Sequence, residues 1–245
     1  MAEHLQALAA TLDPRAAATL SRMPDQGRQL LAARAYLRAG GQIGDRWSWS
    51  AAQAQAFAQS AEKASLDAAI ARVNCIFSAA NPGYTLFVNP QFRSLDIQLQ
   101  RWNSNDSVER AAASMQQAAA AARLPPPASP GATRQFSEWL RGQQPRPVPT
   151  LAAPGLSPHG QARAVDFQVQ LQGSLVAAAD SASIAARWVE PGWAQKLATA
   201  IQAAGGFTGP LKTPDEPWHY TYQPAQSPAG RATGPPECQA PATLR

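Results

Sequence analysis

The chain has 245 residues, a formal net charge of +5 and a pI of about 9.7, and 45% of its residues are hydrophobic. That hydrophobic fraction is sufficient for a packed core and excludes wholesale disorder. The Lys and Arg residues are scattered without interleaved aromatic residues, which argues against nucleic-acid binding, and no apolar run is long enough for a membrane span.

Helical patterns dominate the first third of the chain. Leucines recur at helical spacing from Leu5 onward, and we predict a helical extension over residues 1–80. Residues 84–88 are rich in β-forming side chains and predict a first strand. The helices predicted after this strand include two over about 107–123 and 133–141, and a proline-rich linker follows at residues 144–149.

The pattern changes to β-structure from about residue 162. Val165 and Phe167 alternate with polar neighbours and predict a strand, which turns back as a hairpin over residues 174–177. A helix is predicted over residues 193–203, and a last short strand over residues 218–222.

These elements together predict the domain organisation. They mix helices with short strands, which indicates the α+β class. Residues 225–245 are rich in proline, glycine and alanine and are expected to form a tail. No internal repeat accompanies this pattern.

The chain contains two cysteines, Cys75 and Cys238. Two cysteines cannot form a structural zinc site by themselves. They are either one disulfide, which would indicate an oxidising compartment, or two unpaired thiols. The sequence leaves both alternatives open.

The chain contains three histidines. His159 and His219 each have a carboxylate close by in the sequence, at Asp166 and Glu216. His4 lies in the first turn of the chain and is expected to be inert. His159 lies in a turn-forming segment, seven residues before Asp166. Asp166 interrupts an apolar strand, where a carboxylate is costly unless it is paired or bound to metal. The alternative is that Asp166 faces solvent on an alternating strand.

The second pair consists of Glu216 and His219. Pro217 excludes a helical zinc motif here, because proline pushes the preceding residue into an extended conformation. A bend at Pro217 could bring both side chains to one site, whereas a surface histidine beside an aromatic stripe is the alternative. Two imidazoles and one carboxylate form a typical catalytic zinc site, so we predict His159, Asp166 and His219 as Zn²⁺ ligands and Glu216 as general base.

Two segments resemble the signatures of a known family. Ser157-x-His159-x6-Asp166 is similar to the Ser-x-His-x-x-Gly-x-Ala-x-Asp signature of zinc D-alanyl-D-alanine carboxypeptidases and peptidoglycan endopeptidases. Glu216-x-Trp218-His219 is similar to that family's second signature, Glu-x-Trp-His, and the order and spacing match VanY-type members. The resemblance covers about residues 81–224. It implies an α+β domain in which a small, mostly antiparallel sheet is packed by helices, the fold of the lysostaphin, D-Ala-D-Ala metallopeptidase and hedgehog superfamily. The stretch between Gln98 and Ser157 is longer than in the family, which implies a helical insertion over about 104–145.

An upstream segment, residues 92–98, is similar to the family's Tyr-Arg-Ser-x-x-x-Gln motif. The resemblance implies that Arg93 pairs with the substrate carboxylate or stabilises the developing oxyanion as part of the catalytic machinery. It also implies a set of further substrate contacts: Ser94, Gln98, Ser157 and Trp218. The chain departs from the pattern at Phe92, where the family has tyrosine, and at Ala162, where it has glycine.

The resemblance implies a hydrolase, a zinc metallopeptidase that cleaves peptidoglycan stem peptides, and a D-alanyl-D-alanine carboxypeptidase is slightly favoured. The alternatives are an endolysin-like L-alanyl-D-glutamate endopeptidase and a non-catalytic, zinc-containing cell-wall-binding module. The complete set of ligands with Glu216 and Arg93 favours an enzyme. The expected location is periplasmic or secreted, although no signal peptide is visible at the N-terminus.

Two other patterns carry less weight. Ser60-x-x-Lys63 matches the Ser-x-x-Lys motif of penicillin-binding enzymes. The partner motif Lys-Thr-Gly is incomplete, because position 214 is proline where the motif has glycine. Four tryptophans could form a glycan-stacking surface, although helix-packing core is the commoner role of such residues. They are Trp47, Trp49, Trp102 and Trp139.

Overall fold

The computed structural model describes residues 1–88, 92–127, 129–212 and 215–223, together with Cys238. The described part of the chain contains ten α-helices, seven strands and several short 3₁₀ or π turns. The helices are α1 (Ala2–Ala9), α2 (Pro14–Leu20), α3 (Gln26–Ala39), α4 (Ile43–Arg46), α5 (Ala51–Ala58), α6 (Ala61–Ala80), α7 (Leu95–Ser104), α8 (Asp106–Ala121), α9 (Pro130–Gly142) and α10 (Trp193–Ala204). The strands are β1 (Tyr84–Val88), β2 (Ala164–Leu171), β3 (Ser174–Ala177), β4 (Phe207–Thr208), β5 (Leu211–Lys212), β6 (Asp215–Glu216) and β7 (His219–Tyr222).

The predicted α+β class is confirmed: helices accompany a fully antiparallel sheet. None of the helices among the described residues is both long enough and apolar enough to cross a lipid bilayer. The predicted tail, residues 225–245, lies outside the described residues except for Cys238.

The chain folds into two units, each built from two separate stretches of sequence. The helical unit consists of Met1–Ser50 and Arg93–Gln161, and the sheet unit consists of Ala51–Phe92 and Ala162–Arg245. These cuts fall elsewhere than the boundaries expected from the sequence, and the functional division over 81–224 stays a prediction.

The core of the helical unit is built around α3, which packs against α8 and α9. The facing surfaces are rich in alanine, so the helix axes can approach closely. Gly27 of α3 lies so near α8 that a Cβ atom there would be 2.6 Å from the Ala112 carbonyl oxygen. The fully buried large residues of this core include Leu30, Tyr36, Trp102, Met115 and Phe136.

The sheet unit has the strand order β1-β2-β7-β4, and β3 also pairs with β2. The strands β5 and β6 form a separate two-stranded hairpin. The long strand β2 is shared between neighbours: its C-terminal part pairs with β1 and β3, and its N-terminal part pairs with β7. Helices α6 and α10 pack against each other, and α6 also contacts β1.

Aromatic side chains form much of the core beneath this sheet. Phe167 of β2 is fully buried and makes edge-to-face contacts with Phe207 and Tyr220, at ring-centroid distances of 5.6 Å and 6.0 Å. Trp193 of α10 contacts the rings of Phe77 and Tyr84. Because these residues are large and rigid, they fix the position of β2 and β7 relative to the helices of the same unit.

Cys75 of α6 and Cys238 are joined by a disulfide, with their Cα atoms 5.5 Å apart. The structure therefore decides between the two alternatives that the sequence left open. The bond links positions 163 residues apart in the sequence. A cross-link over such a long loop restricts the unfolded chain strongly.

We expect the unreduced protein to titrate no free thiol even when it is denatured. Reduction should lower the free energy of unfolding by about 2–5 kcal/mol, because the unfolded chain gains the freedom that the cross-link removed. The measurement is urea denaturation with and without reductant. A Cys75→Ser/Cys238→Ser double variant is the control and should not respond to the reductant. Two thiols titrating in the unreduced denatured chain would contradict the disulfide.

Ala162 precedes β2 and adopts a left-handed backbone conformation with φ of 52°. This conformation is unfavourable for a residue that carries a Cβ atom and is readily accessible to glycine. The resemblance described above has glycine at this position. The strain therefore lies in the segment of chain that leads into Asp166.

We expect Ala162→Gly to raise the free energy of unfolding by about 0.5–1 kcal/mol, since relief of the left-handed strain exceeds the entropy that glycine adds to the unfolded chain. Urea denaturation measures the change. Ala68→Gly on the exposed face of α6 is the matched control and should lower stability by about 1 kcal/mol. If both substitutions destabilise equally, the strain at Ala162 is not real.

Candidate metal centre

The pairing of β2 with β7 places Asp166 directly opposite His219. The backbone hydrogen bonds from Phe167 N to the Trp218 carbonyl and from Tyr222 N to the Arg163 carbonyl flank this pair, so it occupies a non-hydrogen-bonded position. Side chains at such positions lie closest together in an antiparallel sheet. The His219 Nδ1 atom is accordingly 3.1 Å from Asp166 Oδ1.

Glu216 reaches the same imidazole from the end of β6. Pro217 and Trp218 form the turn between β6 and β7, and this turn brings Glu216 Oε2 to 3.5 Å from His219 Nδ1. A regular strand would place residues 216 and 219 on opposite faces. Of the two alternatives for this segment, the structure therefore has the bend at Pro217, and it puts two carboxylates beside one ring nitrogen.

Both Asp166 and His219 are 7% exposed. The alternative that Asp166 faces solvent is wrong, and so is the alternative that His219 is a surface residue. A carboxylate and an imidazole at this depth lose much of their hydration and need partners. Asp166 and His219 are partners for each other, and the Glu216 carboxylate beside His219 adds a second acidic group.

His159 lies in a short 3₁₀ turn, Pro158–Gln161, and is also 7% exposed. Its ligand atom forms a group with those of Asp166 and His219, all within 4.8 Å of one another. Such a buried His-Asp-His group could hold a metal ion. The three residues that the sequence singled out as ligands are thus brought together.

The distance between two of the ligand atoms in this group fits a shared ion. Two ligand atoms that each lie about 2.0–2.1 Å from a tetrahedral ion are separated by about 3.3 Å. The observed 3.1 Å between His219 Nδ1 and Asp166 Oδ1 is close to that separation. It also fits a hydrogen bond, so this pair is compatible with the apo and the metal-bound state. A divalent cation would balance the charge of the two carboxylates.

The reverse face of β7 is apolar. Tyr220 is 1% exposed and packs against Phe167, and its hydroxyl has no hydrogen-bond partner among the described residues. Burial raises the pKa of Tyr220 to about 12, so the phenol stays neutral at physiological pH. Tyr222 also lies in this core, against Phe207. These aromatic residues support the strand from behind.

Arg93 and the residues after it occupy the start of α7. The backbone N–H of Arg93 donates to the His159 carbonyl at 3.3 Å, which ties the two segments together. Ser94 is the N-cap of α7, and its hydroxyl accepts a hydrogen bond from Ile97 N. The expected substrate contacts of Arg93 and Ser94 stay predictions.

Gln98 is buried, and its amide is engaged within the chain. Its Nε2 donates to Ser48 Oγ and to the Arg93 carbonyl, each at 2.7 Å, and its Oε1 accepts from Gly155 N at 3.0 Å. Both amide protons are therefore used to hold protein segments. Gln98 thus supports the loop that carries His159, and a direct contact with substrate stays a prediction.

Ser157 and Trp218 are the remaining expected substrate contacts. Ser157 precedes His159 in the same loop, and its carbonyl accepts from Gly160 N. Trp218 is only 3% exposed and packs against Trp188 at a ring-centroid distance of 5.7 Å. Little of the Trp218 indole is therefore available to a ligand, and its observed contact is with the core.

The structure adds residues that the sequence interpretation missed. Ser48 is buried beside Gln98, in a segment that carried no recognisable site motif. Trp47 is buried against Tyr36 and the Arg15 guanidinium, and Trp102 is buried as well. These two tryptophans are core residues, which excludes them from a glycan-stacking surface.

Comparison of the chain with protein-family models, with curated proteins and with solved structures finds no significant match. The geometry of the His-Asp-His group and the motif resemblance are therefore the observations from which a function is inferred.

Proposed function

We propose that the chain is a zinc-dependent peptidase that hydrolyses peptidoglycan stem peptides, with D-alanyl-D-alanine carboxypeptidase as the favoured activity. The observation that carries the proposal is the buried group of His159, Asp166 and His219, with Glu216 3.5 Å from the His219 ring. The two signature segments that resemble zinc peptidoglycan peptidases contain all four of these residues.

Zinc is the metal that this donor set favours. Two imidazoles and one carboxylate match catalytic zinc sites, in which three protein ligands leave a fourth position for water or substrate. Calcium and magnesium prefer oxygen ligands and would bind weakly to a site with two histidines. A zinc ion here would supply Lewis-acid activation of water and of the scissile carbonyl.

Glu216 is the proposed general base. Its carboxylate accepts a proton from the water whose oxygen forms the new bond to the scissile carbon, and then passes that proton to the leaving amine as the C–N bond breaks. Glu216, at the end of β6, suits this role because its carboxylate lies beside His219 and is not one of the three proposed ligands. Asp166 already occupies the adjacent strand position.

Arg93 is the proposed partner for the negative charge of the substrate. A guanidinium can pair bidentately with the free carboxylate of a stem peptide, or stabilise the oxyanion that develops during attack. Its backbone bond to the His159 carbonyl supports this assignment, because it links the arginine to a ligand-bearing loop.

A periplasmic or secreted location is part of the proposal. The disulfide between Cys75 and Cys238 supports it, since such bonds persist in oxidising compartments and are rare in the cytosol. Peptidoglycan would also be accessible to the enzyme in such a compartment. The basic net charge is compatible with anionic wall polymers.

The metal assignment predicts about one zinc per chain in the purified protein. His219→Ala should reduce the bound zinc to a small fraction of the wild-type value, because one of three ligands is lost. Inductively coupled plasma mass spectrometry measures the content. His4→Ala is the matched control, since His4 is also buried but stacks on Phe136 outside the group. Full zinc retention in His219→Ala would overturn the ligand assignment.

The peptidase assignment predicts cleavage of muropeptides with pentapeptide stems, and a zinc chelator should abolish it. Mass spectrometry identifies the bond: loss of a terminal D-alanine indicates a carboxypeptidase, and a shortened stem indicates an endopeptidase. Glu216→Gln should bind zinc normally and lose at least about a hundredfold in kcat, because the proton acceptor is removed. No cleavage by the zinc-loaded protein would favour the cell-wall-binding module instead.

A further inference from the structure

The loop that carries His159 is held at both ends by one short segment of the helical unit. Ser48 N donates to the Gly155 carbonyl at 2.8 Å, and Trp49 N donates to the Gly160 carbonyl at 2.7 Å. Gly155 and Gly160 are the first and last residues of the six-residue stretch that contains His159. Two consecutive N–H groups therefore fix the span and the orientation of this loop.

The Ser48 side chain extends the same attachment into the interior. Its hydroxyl accepts from Gln98 Nε2, and Gln98 in turn binds Gly155 N and the Arg93 carbonyl. The Arg93 N–H then donates to the His159 carbonyl. Ser48 is thus connected to the His159 backbone by a continuous chain of hydrogen bonds.

The space around the loop leaves little freedom for a shift. A Cβ atom on Gly160 would collide with Ser48 Oγ and would lie 2.6 Å from Gln98 Nε2. A Cβ atom on Gly155 would lie 2.6 Å from the Trp47 ring. The loop is therefore packed directly on residues 47–49, and these residues set where the His159 imidazole can be.

We propose that Ser48 is a positioning residue for His159: it orients the histidine loop for metal binding through Gln98 and through its own backbone N–H. The inference rests on the proposed metal site and assigns a role to part of the N-terminal region, to which the sequence resemblance gives none. Groups behind metal ligands fix ligand orientation, and their loss weakens metal binding by about 10–100-fold. Ser48 acts through intermediaries, so we expect the lower end of that range.

Cobalt binding tests this role in the full-length protein. Co²⁺ is titrated into metal-free protein, and the visible absorption bands report the coordination geometry while the titration reports the dissociation constant. Ser48→Ala should raise the dissociation constant by about tenfold and alter the band positions. Gly160→Ala places a Cβ atom against the Ser48 hydroxyl and should change the spectrum in the same way.

Ser107→Ala is the matched control. Ser107 is a buried serine of the helical unit whose hydroxyl contacts Asn105 and Thr150, away from the His159 loop. It should lose thermal stability by an amount similar to Ser48→Ala, yet keep the wild-type cobalt affinity and spectrum. The comparison separates positioning of the metal ligand from a general loss of packing.

The outcomes are distinct. Wild-type cobalt affinity and spectrum in Ser48→Ala would overturn the positioning role, and so would equal changes in Ser107→Ala. Should circular dichroism show that Ser48→Ala is unfolded, Ser48→Cys takes its place, because its thiol occupies the position of the hydroxyl but is a weaker acceptor, and the same criteria apply to it. Failure of the wild-type protein to bind cobalt would instead refute the proposed metal site itself.

Discussion

The contact between the Asp166 carboxylate and the His219 imidazole depends on the register of two strands. A shift of one residue between β2 and β7 would turn one of the two side chains to the aromatic core. The aromatic residues on the reverse face, Phe167 and Tyr220, oppose such a shift because each fills a fixed volume. Core packing and site geometry are therefore one constraint, since the same two strands carry both.

The candidate site combines two residues on paired strands with one residue on a loop that other groups must hold in place. Asp166 and His219 lie on paired strands, where the backbone fixes the direction of each side chain. His159 lies on a loop, and a loop holds a ligand accurately only when other groups fix it. The buried amide of Gln98 and the backbone of residues 48 and 49 have that capacity. In the proposed metal site, the affinity for the ion should therefore depend most on how well the His159 loop is held.

Much of the fold was predictable because its signals are local. The strand over residues 84–88 and the hairpin strand over residues 174–177 follow from short runs of β-forming residues, and both bounds agree with the structure. The bend at Pro217 was one of two alternatives that the sequence left open, and the structure has it, with Glu216 beside His219. The two-residue strand β4 and the π turn over Ala185–Val189 were missed, because neither is long enough to leave a periodic pattern.

The remaining features depend on contacts between distant residues. Nothing in the sequence around Ser48 distinguishes it from any serine beside tryptophan, and its role follows only from the approach of Gln98 and Gly160. The same reason explains why the helical unit and the sheet unit were not anticipated. Each unit joins two stretches that are far apart in the sequence, and the association of such stretches is decided by packing.

The disulfide has a consequence for a chain that is cut. Cys75 and Cys238 enclose most of the sequence, including the whole second stretch of the helical unit and the segments that carry His159, Asp166 and His219. A protease that cleaves any single peptide bond between the two cysteines leaves both fragments covalently joined. A nicked molecule would therefore remain one particle, with its strands still able to pair.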